Sequence, residues 1–392
     1  MRQRASTSLV KKTMIEFARL TGLSPANHVP RRYLWTDAFA VCNFLGLYQE
    51  TGGKEFKDLA QQLVDQVHSV LGRHRHDDLR TGWISGLEEE DGRLHPTKGG
   101  LRIGKPLKER GLREPFNERL EWDRDGQYYH YLTKWMHALN RLTNVTGDFT
   151  YNRWAIELAR TAHTKFTYAP SSGSQKRMYW KLSIDLSYPL VPSMGLHDPL
   201  DGLVTYSQLQ ATAAEDPEPS TGDLRAEIID LTNMCEGKSW ATDDPLGIGG
   251  LLSDAFRVAQ LTVKGCLPRT GLLGTLLDAS RVGLEAFAKE NSLNFPAEYR
   301  LAFRELGLSV GLGMLERLPG LVERNEQAFA KGHGLRVRMN ALEHYEVLKE
   351  VIDNFWLQNQ NQEAESWIAH RDINMVMLAT SLSPDGYLRL WP

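Results

Sequence analysis

Acids, histidines and aromatic residues cluster at a few points of the 392-residue chain, at spacings that suit acid–base chemistry. The densest stretch, residues 195–202, has the sequence Gly-Leu-His-Asp-Pro-Leu-Asp-Gly. Asp198 precedes a proline and is typical of a helix cap, and Asp201, three residues on, fits a capping box. His197 has no comparable structural reason. Because a histidine near carboxylates can titrate near neutral pH, His197 and Asp201 are candidate acid–base residues.

A second polar stretch begins at Tyr128 and contains His130 and Lys134 among several aromatic residues. A histidine, a lysine and aromatic rings at one helix start predict a polar pocket with walls that stack on a ligand. Lys134 would bind hydroxyl groups or a carboxylate there. The alternative is that the aromatic residues only fill the core.

Two further helix starts carry candidates. Asp37 follows Trp35 at the head of a long apolar run, where it is either a carboxylate favoured by the helix dipole or a catalytic group. His370 and Arg371 precede the last predicted helix. Arg371 either pairs with a nearby aspartate, Asp37 or Asp372, or clamps an anionic substrate.

A repeat determines how these stretches are positioned. Residues 33–71 align without a gap on residues 128–166 when Thr51-Gly52 is set against Thr146-Gly147. Each copy predicts an apolar helix, a Thr-Gly turn and an amphipathic helix. Looser hairpins follow, and Pro296 to Leu315 is predicted to be one long helix. Alternating apolar and amphipathic helices favour a ring with the apolar helices inside. We therefore predict an all-α fold, the (α/α)6 toroid of helical hairpins, as one domain over residues 1–392.

Two irregular segments interrupt the helical pattern. An insertion at about 73–127 is rich in glycine and predicts loops or a β-hairpin, and residues 168–196 are similarly irregular. In a toroid such segments lie at the mouth of the funnel, and long ordered loops usually carry function. Trp180 and Asp185 in the second segment are therefore candidate substrate-binding residues.

Composition excludes several classes of function. The net charge is -3, which gives no basic excess for nucleic acid, and no apolar run approaches the ~18 residues of a membrane span. The three cysteines are far apart, which favours reduced thiols and a cytoplasmic location. Dinucleotide, phosphate-loop, zinc-protease and nucleophile-elbow motifs are missing. The sequence thus predicts no metal and no cofactor.

The Trp35-Thr-Asp37 helix head, the repeated Thr-Gly hairpin and the aromatic-rich loops make residues 33–382 resemble the six-hairpin glycosidase superfamily. The resemblance is architectural and matches no single glycoside hydrolase family. It implies a small-molecule carbohydrate substrate and a glycoside hydrolase with two carboxylates in a funnel, for which Asp37 and Asp201 are the candidates. Trp35 and Trp180 would stack on sugar faces.

Two alternatives stay open. The same toroid hosts sugar 2-epimerases that use two histidines as acid and base, and His197 with His130 or His370 would supply them here. The Arg-His and Trp-rich motifs of those epimerases are not reproduced in this chain. The third possibility is a non-catalytic helical scaffold that binds a partner.

Overall fold

The computed structural model describes residues 2–26, 30–171, 173, 175–218, 223–267, 270–329 and 333–391. The predicted all-α fold class is confirmed, since helices dominate these residues and the strands are two or three residues long. The first nine helices are α1 (Arg2–Leu20), α2 (Leu34–Thr51), α3 (Lys54–Leu71), α4 (Glu89–Leu94), α5 (Glu118–Glu121), α6 (Tyr129–Thr146), α7 (Thr150–Phe166), α8 (Asp198–Ala213) and α9 (Arg225–Cys235).

The helices that follow are α10 (Pro245–Val263), α11 (Thr270–Lys289), α12 (Ala302–Leu312), α13 (Leu318–Arg324), α14 (His333–Glu343), α15 (Glu346–Trp356), α16 (Asn359–Gln362), α17 (Glu365–Ile368), α18 (Arg371–Leu382) and α19 (Asp385–Leu388). Single 3-10 turns lie at Ser292–Asn294, Ala297–Tyr299 and Glu326–Phe329. The strands are β1 (Gln127–Tyr128), β2 (Thr167–Tyr168), β3 (Arg177–Met178), β4 (Lys181–Leu182) and β5 (Pro189–Val191).

The residues group into two compact units. The first unit comprises Met1–Phe17, Gly46–Gly53 and Lys238–Leu390. The second comprises Ala18–Leu45, Lys54–Gly237 and Trp391–Pro392. Most of the candidate site residues belong to the second unit, whereas His370 and Arg371 belong to the first.

The hairpin repeat holds down to individual hydrogen bonds. Helices α2 and α6 both end in threonine, followed by a glycine with positive φ, 70° at Gly52 and 76° at Gly147. The hydroxyl of each threonine donates to the carbonyl four residues earlier, at 2.6 Å for Thr51 and 2.7 Å for Thr146. Glycine adopts positive φ without steric cost, so it ends both helices in the same way.

Within the second unit, α6 packs against α7 and α8, and α8 packs against α9. A buried polar chain connects the first three of these helices. Gln208 on α8 donates to Asn140 on α6 at 2.6 Å, and Asn140 donates to Asn152 on α7 at 2.8 Å. A second bond joins Gln208 Oε1 and His137 Nδ1 at 3.0 Å. Because each of these hydrogen bonds has directional geometry, the hydrogen-bonded side chains fix the register of α6 against α8.

Short strands attach the loops to the start of α6. Strands β1, β4 and β5 form an antiparallel sheet in that order, with Tyr128 opposite Lys181. Strands β2 and β3 form a separate antiparallel pair. The insertion at 73–127 consists of α4, α5 and loops, with isolated bridges and the strand β1 at its end. The three-stranded sheet brings Trp180 beside the residues that open α6.

In the first unit, α10 and α12 approach each other through glycine. A Cβ atom at Gly249 would lie 2.1 Å from the carbonyl oxygen of Gly307, and one at Gly311 would lie 2.4 Å from that of Gly249. Side chains at these positions would force the helices apart. Elsewhere in this unit, α12 packs against α15 and α18.

The predicted single helix from Pro296 to Leu315 is wrong. Two 3-10 turns precede a shorter helix, α12, that begins at Ala302. Arg300 is extended, and its buried guanidinium donates to Glu305 at 2.9 and 2.6 Å and to the Leu293 carbonyl at 2.8 Å. These charge-assisted bonds are stronger than neutral ones, and they keep the segment before α12 out of the helix.

Among the described residues, no helix combines the length and hydrophobicity that crossing a bilayer would require.

Candidate active site

The first turn of α8 carries two buried carboxyl groups, on Asp198 and Asp201. The prediction that Asp198 caps this helix is wrong, because His197 occupies the cap position and Asp198 is the first helical residue. The Asp198 side chain instead accepts a hydrogen bond at 3.2 Å from the backbone N–H of Gly195, upstream of the helix. The Asp198 side chain can therefore contact a residue on a neighbouring helix.

That neighbour is α6, which presents His130 and Lys134. Lys134 Nζ lies 2.6 Å from Asp201 Oδ1, and His130 Nδ1 lies 3.9 Å from Asp198 Oδ1. Two residues four apart on α6 thus face two residues three apart on α8, which places one basic side chain opposite each acid. We call His130, Lys134, Asp198 and Asp201 the acid–base cluster.

The two acids of the cluster have different electrostatic environments. Burial raises the pKa of Asp198 to about 7, and the charge of Asp201 adds to the rise, while the Gly195 N–H and Lys134 oppose it. The Lys134 ammonium stabilises Asp201 as an anion. Burial lowers the pKa of His130 to about 4, so its imidazole is neutral at pH 7. The cluster therefore combines a proton donor near neutrality, a fixed carboxylate and a neutral imidazole, the arrangement that proton transfer requires.

Gly195 controls the position of Asp198. A Cβ atom at Gly195 would lie 2.5 Å from Asp198 Oδ2, too close for the carboxyl group to stay in place. We expect Gly195→Ala to disrupt the N–H bond that favours the ionised carboxyl and to raise the pKa of Asp198 by about one unit. Carbon-13 NMR titration of labelled aspartate carboxyls measures this, with Asp198→Asn used to assign the resonance. The control is Gly250→Ala, since Gly250 has open space at its Cβ position. An unchanged Asp198 titration in Gly195→Ala would contradict this account.

Aromatic rings surround His130. Tyr128 and Trp180 stack with ring centres 5.2 Å apart, and His130 stacks on Tyr128 at 5.5 Å and on Trp180 at 6.4 Å. The distance between His130 and Trp180 is too short for the three rings to stack in one column. They form an offset group in which the ring planes are nearly parallel. Tyr128 is buried, while His130 and Trp180 are partly exposed.

A second group of rings continues from the same place. Tyr131 lies edge-on to His130 at 4.7 Å and contacts Tyr33 at 5.6 Å and Trp35 at 6.5 Å. The hydroxyls of Tyr33 and Tyr131 share a hydrogen bond of 2.7 Å. Burial raises the pKa of Tyr33, so its phenol stays protonated. We call Tyr33, Trp35, Tyr128, Tyr131 and Trp180 the aromatic wall. Flat rings with attached hydroxyls suit the apolar faces and polar edges of a sugar.

Asp37, a predicted catalytic residue, lies in a buried ion pair. Arg32 Nη1 is 3.2 Å from Asp37 Oδ1, and neither side chain is more than 2% exposed. The Tyr33 N–H donates to Asp37 Oδ2 at 2.9 Å, and Arg32 Nη2 donates to the Thr21 carbonyl at 2.6 Å. These contacts give Asp37 a structural role, because its side chain joins the segment before α2 to the start of that helix.

Asp185, a predicted binding residue, is similarly engaged. Its carboxylate accepts from Arg80 Nη1 at 2.9 Å, from the Ser183 hydroxyl at 2.8 Å and from the Ser187 hydroxyl at 2.6 Å. It therefore organises the turn between β4 and β5. Trp180, the other candidate from the same segment, belongs to the aromatic wall.

The functional roles predicted for His197, His370 and Arg371 remain predictions. His197 is partly buried at the start of α8. His370 is exposed, and its ring packs edge-on against Phe303 at 5.5 Å. Arg371 Nε lies 3.9 Å from Asp372 Oδ1, in line with the simpler of the two alternatives for this arginine.

The structure therefore brings together His130, Lys134 and Asp201 from the predicted set, with Trp35 and Trp180 nearby in the wall. Sequence reasoning left Asp198 out of the candidate residues because an aspartate before proline has a sufficient structural explanation. The available signal was the three-residue spacing to Asp201, which puts both carboxyls on one side of the helix.

Within the described part of the chain, no three His, Cys, Asp or Glu side chains are grouped closely enough to hold a metal ion.

Comparisons with known proteins give limited similarity. No family model matches the chain, and no curated protein matches its sequence. A solved sugar epimerase from a ruminal bacterium is 10% identical, with a TM-score of 0.45 over 88% of this chain and 87% of that chain. Cellobiose 2-epimerase from Bacillus thermoamylovorans is also 10% identical, with a TM-score of 0.42 over 80% of this chain and 76% of that chain.

Proposed function

We propose that this chain is a carbohydrate-active enzyme that transfers a proton through the Asp198 carboxyl, and that its reaction is hydrolysis of a glycosidic bond. The observation that carries the proposal is the pair of carboxyls on one turn of α8 in unequal environments. Asp198 has a pKa of about 7, whereas Asp201 is held as an anion by Lys134 at 2.6 Å. Most glycoside hydrolases use one protonated and one ionised carboxyl.

The roles follow from these charges. Asp198 donates its proton to the oxygen of the breaking glycosidic bond, and the leaving sugar departs as an alcohol. Asp201 accepts a proton from the water that adds to the anomeric carbon. Lys134 orients Asp201, and the partly exposed Trp180 stacks on the sugar beside His130. The resemblance of residues 33–382 to six-hairpin glycosidases supports the same substrate class.

One observation favours a second function, epimerisation. The neutral His130 imidazole faces Asp198 at 3.9 Å, and such a pair can remove a proton next to a sugar carbonyl and return it on the other face.

Product analysis in heavy water separates the possibilities. The purified protein is incubated in D2O with a panel of disaccharides, aryl glycosides and free aldoses, and products are followed by proton NMR. Hydrolysis releases a second sugar without deuterium at carbon 2. Epimerisation inverts carbon 2 of an intact sugar and introduces deuterium there. Binding without either product would contradict both enzyme proposals and support a scaffold.

A further inference from the structure

Two lysines lie against rings of the aromatic wall and differ in their ionic partners. Lys181 Nζ is 5.2 Å from the ring centre of Tyr128, and Lys105 Nζ is 5.3 Å from that of Tyr33. The positive charge of Lys181 is balanced by an ion pair, because its ammonium binds Glu121 Oε1 at 2.9 Å. The same ammonium donates to the carbonyls of Glu121 and Arg124 at 2.8 Å.

Among the residues that the structure describes, Lys105 has no carboxylate bound to its ammonium group. None of the described carboxylates forms an ion pair or hydrogen bond with its ammonium group, although Asp123 and Asp125 influence it at longer range. Asp125 is already bound by Arg75 at 3.2 Å and by Arg102 at 3.0 Å. Lys105 is partly buried, and this burial lowers the pKa of its ammonium group. A cation in this state gains strongly from an anion.

The backbone that carries Lys105 is held in place. Arg75 Nη1 donates to the Lys105 carbonyl at 2.7 Å, and Gly104 N–H donates to Asp125 Oδ1 at 2.9 Å. Gly104 has φ of 92°, and a Cβ atom there would lie 2.2 Å from the Arg32 carbonyl oxygen. The turn is therefore fixed before any ligand arrives, which lowers the entropic cost of binding.

We propose that Lys105, with the paired hydroxyls of Tyr33 and Tyr131, forms an anion subsite, and that the substrate is an acidic sugar. The Tyr131 ring contacts His130 at 4.7 Å, so this subsite continues directly into the acid–base cluster. The anionic group is a carboxylate, as in a uronic acid, or a phosphate, as in a sugar phosphate. The proposal rests on the proposed function for the sugar part of the ligand.

Calorimetry tests the subsite with four probes: D-glucuronate, D-glucose 6-phosphate, D-glucose and inorganic phosphate. Wild type is compared with Lys105→Met, Lys105→Arg and the control Lys98→Met, which removes an exposed lysine from the same unit. We expect wild type to bind one of the two acidic sugars about ten- to a hundredfold more tightly than glucose. Lys105→Met should lose that preference, while Lys105→Arg and Lys98→Met should keep most of it. The preferred acidic sugar identifies the anionic group.

The outcomes separate this proposal from the proposed function. Equal binding of glucose and both acidic sugars by wild type would overturn the subsite, even if a neutral sugar were turned over. Loss of phosphate binding in Lys105→Met alone would support the subsite, even if no sugar reacted. Absence of binding by all four probes would overturn it. Thermal melts of each variant confirm that the protein is folded before titration.

Discussion

Replacing Asp198 with asparagine is expected to reduce turnover of a cleaved or epimerised sugar by about 10²- to 10⁴-fold. Asparagine keeps the size of the side chain but has no proton to transfer near pH 7. The measurement is kcat on whichever substrate the NMR panel identifies. Because the Gly195 N–H still has an amide oxygen to bind, KM should change little.

The matched control is Asp58→Asn, which removes an exposed carboxylate from α3 in the same unit. It should leave kcat unchanged. Full activity in Asp198→Asn would remove Asp198 from the mechanism under both enzyme proposals.

The same substitution should change how stability depends on pH. The pKa of Asp198 is raised from 3.8 to about 7, so its contribution to stability is fully present below about pH 4 and is lost as the pH rises through 7. A shift of about three units corresponds to roughly 4 kcal/mol, which is an upper figure for the loss. Asparagine does not titrate, so the melting temperature of Asp198→Asn relative to wild type should be higher at pH 8 than at pH 5. A pH-independent difference would mean that the folded protein ionises Asp198 normally.

The second large effect is expected at Arg32. Replacing it with methionine leaves the Asp37 carboxylate buried without its cation, and breaking a buried pair in this way costs about 3–5 kcal/mol. Urea denaturation measures the free energy of unfolding. The double variant Arg32→Met with Asp37→Asn should lose less stability than the sum of the single variants, because it leaves no unpaired charge.

Asp37→Asn also decides between the two interpretations of Asp37. A structural residue should lose stability while keeping kcat when it is assayed well below its melting temperature. A large loss of kcat with unchanged stability would instead restore Asp37 to the catalytic pair. The Tyr33 N–H bond can be retained by asparagine, so the start of α2 is preserved in this test.

The hairpin repeat could be predicted because its signals are local. A Thr-Gly pair ends a helix through its own hydrogen bonds and backbone conformation, and neither depends on distant residues. The same explanation covers the boundaries of α2, α3, α6 and α7, which form from the periodicity of nearby residues.

The roles of individual acids could not be predicted in the same way. Asp198-Pro-Leu and Asp244-Pro-Leu are identical tripeptides at the starts of helices. Asp244 does cap its helix, since its side chain accepts from Gly247 N–H at 3.0 Å. Asp198 instead accepts a hydrogen bond from the Gly195 N–H and faces His130. His130 lies near Asp198 because α6 packs on α8. Arg32 pairs with Asp37 through Nη1, while its Nη2 donates to the Thr21 carbonyl from 11 residues earlier in the chain.

Because α6 packs against α8, substitutions on α6 can change the ionisation of the acids on α8. Both acids lie on the same turn of α8 and are buried, and burial and the Gly195 N–H already act on the pKa of Asp198. The Lys134 ammonium on α6 adds a further difference, because it lies 2.6 Å from Asp201, whereas the group that faces Asp198 is the uncharged His130 imidazole. Exchanging those two basic residues would bring the ammonium toward Asp198 and favour its ionised form without changing either acid. Under the proposed function, the choice of proton donor thus depends in part on residues that need not donate a proton themselves.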